Sequence, residues 1–486
     1  MTRTSSPPRR GGVPPQAAGW CVLALALVGC AIGPDYLRPD AAVSDAYKEA
    51  TGWKVAEPQD ESNRGNWWEI FGDPQLSALI ESIDISNQNV RLAEAQFRQA
   101  QALAAQSRAA LFPTLDANAS ITRSRSPTGL VGGTTAGRII NSRSVGLSSS
   151  WELDLWGGLR RALESSTAGA QASAADLAAA RLSAQAELAS DYFQLRVLDA
   201  QKQLLDDTAT AFDKSLELTR NRYTAGVAAK VDVVQAETQL KSTQAQAIDT
   251  GVQRAQFEHA IAILIGKPPS EFSLASVPLA VTMPRVPLGL PSELLERRPD
   301  VAAAERRAAA ANARIGVARA AYFPSLTLSG NTGFRSAAAT DLFAASSRFW
   351  SIGPALAQSI FDAGLRRAQT EQAIAAYDAT VAEYRQAVLA GFQEVEDNLA
   401  ALRILGEEAE VQEGAVRAAR ESVLLTTNQY KAGIVSYINV VTVQTTQLSN
   451  ERAAMGILGR RLVAAVTLVK ALGGGWSAAE IAVDNR

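Results

Sequence analysis

The sequence predicts a mainly α-helical chain that also supplies strands to a transmembrane β-barrel, and it reads as two copies of one unit. Three observations carry this. Short motifs recur in the same order at an offset near 207 residues. Four stretches alternate apolar and polar residues with period two, the strand signature. Two very long runs, 159–224 and 365–431, hold helix-forming sequence with no proline.

The repeat organises everything else. Leu111-Phe112-Pro113-Thr114-Leu115 recurs as Tyr322-Phe323-Pro324-Ser325-Leu326, and Gly158-Leu159-Arg160-Arg161-Ala162 as Gly364-Leu365-Arg366-Arg367-Ala368. Tyr223-Thr224-Ala225-Gly226-Val227 recurs as Tyr430-Lys431-Ala432-Gly433-Ile434, and Leu264-Ile265-Gly266 as Ala471-Leu472-Gly473. The period is far above solenoid lengths, so a whole unit has been duplicated. The expected division is a signal segment at 1–29, an extended N-terminal segment at 30–70, repeat 1 at 71–272, a linker at 273–290, repeat 2 at 291–473 and a tail at 474–486.

Each unit opens on a helical stretch, about 87–111 and 299–322, ahead of which lies a short helix at 74–82 or 291–297. Both stretches end at an aromatic-Pro pair, because proline pushes the residue before it into extended geometry. Alternation follows: Leu115, Ala117, Ala119 and Ile121 against Asp116, Asn118, Ser120 and Thr122. Val145, Leu147, Trp151 and Leu153 share a face in the second strand; Leu326, Leu328 and Phe334 do so in the third, and Trp350, Ile352, Leu356 and Ile360 in the fourth. A half-buried soluble hairpin and a membrane barrel strand both give this pattern. Segments 124–138 and 336–348 read as loops, and Pro354 interrupts the fourth strand without explanation at this level.

The long run in repeat 2 places Val381, Val388, Phe392, Val395, Leu399 and Leu402 at coiled-coil spacing. At about 1.5 Å per residue each long run spans roughly 100 Å. Each ends at a Gly able to take left-handed geometry, and a half-length helix returns over about 232–265 and 439–472. Two half-length helices stacked end to end would match one long helix, giving an antiparallel pair of columns.

Composition removes much chemistry. The net charge is −2, from 47 basic and 49 acidic residues, so no nucleic acid is expected as a partner. The hydrophobic fraction is 47 % with only 6 % aromatic; the excess is mostly alanine, which suits helix against helix. One histidine, His259, and two cysteines, Cys21 and Cys30, cannot build a His/Cys metal cluster or a cysteine-protease dyad. No cofactor and no enzyme activity are expected, and His259 reads as structural or solvated.

Arg3, Arg9 and Arg10 precede a short apolar run over 17–28, the form of a secretory signal. Leu27-Val28-Gly29-Cys30 is similar to a lipoprotein cleavage box, which implies acylation at Cys30; an ordinary signal peptide containing a cysteine is the other reading. Ala31 after the cysteine implies sorting to an outer membrane by the same resemblance. Four strands cannot close a membrane barrel, and an open edge is not tolerated in lipid. Three chains would give twelve strands, the smallest symmetric closure with a useful bore, although counting alone also admits a dimer.

On these residues the chain resembles the TolC-like outer membrane factors, in the NodT-type lipoprotein branch serving resistance-nodulation-division efflux. Gly33-Pro34-Asp35-Tyr36, Trp67-Trp68, Leu294-Leu295-Glu296-Arg297-Arg298-Pro299-Asp300-Val301, Asn312-Ala313-Arg314-Ile315-Gly316, Ile360-Phe361-Asp362-Ala363-Gly364 and Leu472-Gly473-Gly474-Gly475-Trp476 carry the resemblance. Ser359 departs from it, where the family usually has proline. The resemblance implies a trimeric channel-tunnel: a barrel in the outer membrane, helices across the periplasm, and a tip docking on a periplasmic adaptor joined to an inner-membrane resistance-nodulation-division pump. It places the adaptor-docking tip at Tyr223, Gly226, Val227, Tyr430, Gly433 and Ile434, which also read simply as helix-hairpin turns. It places a periplasmic gate at Asp232, with Ile438, Asn439 and Thr442 in the second repeat, where the acidic character is lost. Two further readings are a duct for protein or oligosaccharide export and a structural coiled-coil lipoprotein without a pore.

Overall fold

A computed structural model of the chain describes residues 31–43, 46–49, 66–125, 139–277, 283, 284, 286 and 297–476. The signal segment, the Cys30 lipidation site, the loop core at 126–138, most of the 273–290 linker and of the short helix at 291–297, and the tail beyond 476 lie outside the described residues. The helices are α1 (Pro74–Ser86), α2 (Gln88–Ala109), α3 (Gly158–Thr224), α4 (Lys230–Leu264), α5 (Pro299–Ala320), α6 (Leu365–Lys431) and α7 (Tyr437–Ala471). The strands are β1 (Thr114–Arg125), β2 (Ile139–Leu153), β3 (Ser325–Ser336) and β4 (Arg348–Ala357). The duplication is visible in the lengths. The helices α3 and α6 each have 67 residues, α4 and α7 each have 35, and α2 and α5 each have 22.

Two compact units divide the chain, and each stands on its own chemistry. The first draws on residues up to Arg38, Ala100–Ala170 and Arg307–Thr380. Its centre is one antiparallel sheet in the order β1-β2-β3-β4. Ala117 pairs with Leu147 and Ala119 with Val145. Val145 pairs with Phe334, Trp151 with Leu328 and Leu153 with Leu326. Thr332 pairs with Trp350 and Leu326 with Leu356. The four alternating patterns therefore converge on one apolar face. From Val145 to Leu153 that face rises roughly 26 Å along the strand. The opposite face is polar: Asn118 Nδ2 donates to Ser148 Oγ at 2.7 Å, and the Ser120 and Ser144 hydroxyls lie 2.8 Å apart. Every residue of β1 is exposed. Pro354 lies opposite Leu328 on β4, the last strand in the order of the sheet.

The corners are built twice from similar parts. Phe112-Pro113 and Phe323-Pro324 stop α2 and α5. The Phe112 and Phe323 N–H groups donate to Ala109 O and Ala320 O at the helix ends, and the Trp151 indole donates to Leu111 O at 2.9 Å and the Trp156 indole to Pro324 O at 2.8 Å. Where strand returns to helix, the Asp154 carboxylate accepts from the backbone N–H of Leu159 and Arg160. Asp362 does the same for Gly364 and Arg366, and pairs with the Arg366 guanidinium. Arg366 Nη2 also donates to Ser359 O at 2.7 Å, so the unusual Ser359 sits inside a tied corner.

Residues 31–38 lie against this unit. Ile32 N–H donates to Trp156 O at 3.0 Å, and Asn312 Nδ2 to Pro34 O at 3.0 Å. Asp35 pairs with the buried Arg161 at 2.8 Å. Gly33 and Gly316 meet backbone to backbone; a Cβ on Gly33 would stand 2.5 Å from Gly316 Cα. The two family motifs at 33–36 and 312–316 thus touch each other.

The second unit takes Pro39–Gln99, Gln171–Arg306 and Val381–Arg486. Trp67, Trp68 and Phe71 on a short 3-10 helix pack with Leu76, Ile80 and Ile83 of α1, Leu188, Tyr192 and Phe193 of α3, Ile261 of α4, Val395 and Leu399 of α6 and Leu462 of α7. The predicted seam on α6 holds: Val388, Val395, Leu399 and Leu402 are buried, Tyr384 joins them, and Phe392 is half-buried. α1 starts at the predicted Pro74, where Asp73 caps it, accepting from Gln75 N and Leu76 N, while Tyr192 Oη donates to the other oxygen of Asp73 at 2.7 Å; it runs past the predicted 82 to Ser86. Arg298 donates to Asp300, to Glu394 and to Ala471 O at the end of α7.

A buried ion group ties this core to the chain after α4. Asp199 accepts from Arg196 at 2.9 Å and from Arg254 at 2.7 Å, and these guanidiniums also donate to Ala275 O and Leu274 O. Asp199→Ala leaves Arg196 buried without its counter-ion and is expected to cost about 3–5 kcal/mol, read from denaturant unfolding. About two turns earlier on α3, burial and then the neighbouring Glu187 carboxylate push the Asp191 carboxyl up to about 6. A carboxyl raised in the folded state favours folding while protonated. Its contribution is full below the ordinary value near 4 and is lost as pH rises through about 6. Asp191→Asn is therefore expected to be more stable than the parent at pH 7 by about 1 kcal/mol, screening allowed for, and to lose that advantage at pH 4.

Candidate functional site

The two helix turns of the second unit gather the predicted residues. α3 runs to Thr224 and α4 starts at Lys230; α6 runs to Lys431 and α7 starts at Tyr437. In the first turn Gly226 takes φ +74°, its N–H donates to Tyr223 O, and Val227 N–H donates to Arg222 O. In the second Gly433 takes φ +77°, its N–H donates to Tyr430 O, and Ile434 N–H donates to Gln429 O. Both are the Schellman closure, which satisfies the last carbonyls and needs a left-handed residue at its centre. Nothing lies within 4 Å of a Cβ built on either glycine, so conformation alone selects glycine there. Val227 and Ile434 are 64 % and 72 % exposed, and Ile438 and its repeat mate Val231 are exposed beside them. Each turn therefore presents bare backbone and apolar side chains.

Asp232 and Asn439 occupy the same place in the two repeats, and each reaches back three residues to the start of its helix. Asp232 Oδ2 accepts from Ala229 N–H at 3.4 Å. Asn439 Nδ2 donates to Ser436 Oγ at 3.1 Å. Asp232 is half-buried and Asn439 exposed. Thr442 is spent on its own helix, donating to Ile438 O at 2.9 Å.

The repeats diverge more in what packs behind the turns. Phe212, Leu216, Val233, Ala236, Leu240, Tyr430, Tyr437 and Val440 form one buried cluster. Tyr223 is 45 % exposed whereas its repeat mate Tyr430 is 5 % exposed. Lys230 lies over the Tyr223 ring at 5.6 Å, while its repeat mate Tyr437 is buried against Tyr430 with ring centres 5.3 Å apart. Arg222 crosses from the first turn to the second: its guanidinium lies 4.8 Å above the Tyr430 ring, and Nη1 donates to Lys431 O at 3.3 Å. The Ser215 and Tyr437 hydroxyls are 3.2 Å apart, and burial pushes the Tyr437 hydroxyl up from its ordinary value.

The sequence points to the turn residues and the expected gate residues but not to Arg222, Ser215 or Tyr437. The signal for Tyr437 was available in the repeat offset, which sets it opposite Lys230. Arg222 has no such mark, since nothing in the sequence says which aromatic its guanidinium covers. Above the cluster Gln239 donates to Thr445 at 3.2 Å and Arg452 to Gln246 at 2.8 Å, lining a polar groove of about 470 Å³ between α4 and α7. Among the described residues no group of three or more His, Cys, Asp or Glu is placed to hold a metal, and no described helix is long and apolar enough to cross a membrane.

A family model described as "Outer membrane efflux protein" matches residues 79–267 and 290–474, one match per repeat. The toluene efflux pump outer membrane protein TtgC of Pseudomonas putida is 32 % identical over 458 residues, 94 % of each chain. The pyoverdine export outer membrane protein OpmQ of Pseudomonas aeruginosa is 33 % identical over 422 residues, 86 % of this chain and 89 % of its own. Among solved structures, the outer-membrane channel OprN superposes with a TM-score of 0.86 at 33 % identity, over 92 % of this chain and all of the other. The open state of the Neisseria gonorrhoeae MtrE outer membrane channel gives 0.81 at 31 % identity, over 92 % and 99 %.

The Tyr430 hydroxyl is buried without a partner. Tyr430→Phe is expected to leave stability unchanged or raise it by up to about 1 kcal/mol. Gly433→Ala is expected to cost about 1–2 kcal/mol through left-handed strain alone. Denaturant midpoints of the two variants check both.

Proposed function

The chain belongs to the outer membrane efflux protein family and is an outer-membrane efflux channel, and from that premise we propose how its copies assemble, dock and gate. Three copies close one barrel of twelve strands, with β4 of each chain pairing β1 of the next. The observation that carries this is the single sheet with two unpaired edges and one apolar face. Backbone groups left unpaired in lipid cost several kcal/mol each, so such a sheet is stable in a membrane only when closed.

The exposed turns around Gly226 and Gly433 are the adaptor-docking surface. Apolar Val227 and Ile434 flank backbone that no side chain covers, which allows a helical hairpin of an adaptor to approach closely. The adaptor joins the channel to an inner-membrane pump of the resistance-nodulation-division type. The relatives are named for toluene, solvents and pyoverdine. Molecules so unlike one another argue for a permissive passage, and the cargo here is a class of toxic small molecules chosen by the pump. Cys30 carries lipid that holds the chain at the membrane. In support, Ala31 and Ile32 are fixed beside Trp156, at the corner where strand becomes helix.

The gate lies at the same turns. Asp232 supplies one carboxylate per chain, Ile438 an apolar contact, and the neutral Asn439 and Thr442 replace a second acidic ring. Arg222, held over Tyr430, fastens the first turn to the second. A ring of like charges in a narrow pore favours counter-ions. In planar bilayers the trimer is expected to prefer cations, and Asp232→Ala to reduce that preference severalfold without abolishing conductance. Unchanged selectivity in that variant sinks the assignment of Asp232 to the gate.

A further inference from the structure

The apolar face of the sheet ends abruptly, and it ends in arginine. On β1 the last apolar residue of the band is Ile121, and the next positions on that face are Arg123 and Arg125. On β2 the position beyond Val145 is Arg143, which pairs with Ile121. On β4 the position beyond Trp350 is Arg348, which pairs with Phe334, itself paired with Val145. Only β3 differs, with Ser336 beyond Phe334. All four arginines stand at the end of the sheet remote from the helix corners. Among the described strand residues, Ile139 at the very start of β2 is the one apolar residue that follows them on this face.

The charge is one-sided in two respects. The acidic residues of the described strands, Asp116 and Glu152, lie on the opposite face. At the helix end the apolar face finishes in Leu115, Leu153, Leu326 and Leu356, with no cation. Arg123, Arg125 and Arg348 are exposed, Arg143 is half-buried, and Trp350 is 72 % exposed beside Arg348. The fifth strand arginine, Arg335, belongs to the other face, where it lies 4.9 Å over the Phe349 ring.

We propose that this row is a binding site for the phosphate groups of a phosphorylated glycolipid in the outer leaflet, which rests on the sheet being part of a membrane barrel as argued above. An arginine facing lipid costs about 2–4 kcal/mol at the bilayer midplane and roughly 0–1 at its edge, so four on one face mark the headgroup level. A tryptophan at that level is the usual interfacial neighbour. Guanidinium groups pair phosphate oxygens two at a time, and no carboxylate of the described strands shares their face, although Arg143 Nη1 already donates to Ala337 O. Because the row exists at the loop end alone, it recognises a phosphate density that one leaflet has and the other lacks. A Gram-negative outer membrane has that asymmetry. The row also fixes which way up, and how deep, the barrel sits.

The test uses full-length trimers in nanodiscs of uncharged lipid, titrated with bisphosphorylated lipid A and with its dephosphorylated counterpart. The wild type is expected to bind the phosphorylated form roughly a hundredfold more tightly than the variant Arg123→Gln/Arg143→Gln/Arg348→Gln, three interfacial charges being lost. The dephosphorylated lipid is expected to bind the wild type as weakly as the phosphorylated one binds that variant. Arg335→Gln, on the other face at the same height, is expected to bind as the wild type does. Equal binding by the triple variant, equal loss in Arg335→Gln, or displacement of the lipid by an equal concentration of inorganic phosphate each overturns the proposal. Bilayer conductance measured alongside separates the two readings. Variants that conduct normally and bind lipid A like the wild type overturn the site and leave the barrel standing. Absence of insertion and conductance in every form, wild type included, overturns both.

Discussion

A β-strand in hydrocarbon must find a partner for each backbone N–H and C=O, and four strands cannot satisfy that condition alone. This constraint orders the rest of the molecule. It explains why β1 is exposed along its whole length and why one face is apolar while the other carries Ser, Asn and Thr. A soluble sheet of this composition would be inverted, with its apolar face covered by its own helices. Here the helices leave the sheet at tied corners instead, each fixed by an aspartate that caps the new helix and an indole that donates to the chain just beyond the old one.

Away from the sheet, the same length of chain has to be held straight. Helices of 67 residues have little intrinsic reason to persist without lateral support. The support comes from the small-residue and coiled-coil seams, and from a compact aromatic core around Trp67, Phe71, Tyr192 and Phe193. The buried Arg196–Asp199–Arg254 group adds direction more than strength, because its hydrogen bonds fix where the chain after α4 may lie.

Most of this architecture was legible in the sequence, since it depends on periodicity. Period-two alternation placed all four strands, proline placed the helix stops, and the 207-residue offset placed the second copy of each. Helix lengths agree between the repeats because the sequence signals do. What could not be read was whatever depends on meeting across the fold. The Asp35–Arg161 pair, the Arg222–Tyr430 stacking and the Ser215–Tyr437 contact join residues with no shared pattern. The alternation also left open whether the hairpins were soluble or barrel strands; the register brings all four apolar stripes onto one face, on which Leu115, Ile121, Trp350, Ile352 and Leu356 are exposed, and the channel relatives share this sheet. Asp232 and Asn439 were legible as a matched pair, yet the bond from the Ala229 N–H to Asp232 shows that this position also serves the start of α4.

The contact of Gly33 with Gly316 has a consequence in time. Asn312 is 278 residues from the Pro34 carbonyl it holds, so the seat for residues 31–38 does not exist until repeat 2 has been made and α5 has formed beside α3. Contacts of such separation form late, because loop closure must precede them. The part of the described chain that leaves the ribosome first is therefore among the last to find its place. Until then it is a tether of free length, and its docking works as a latch that only a finished second repeat can close.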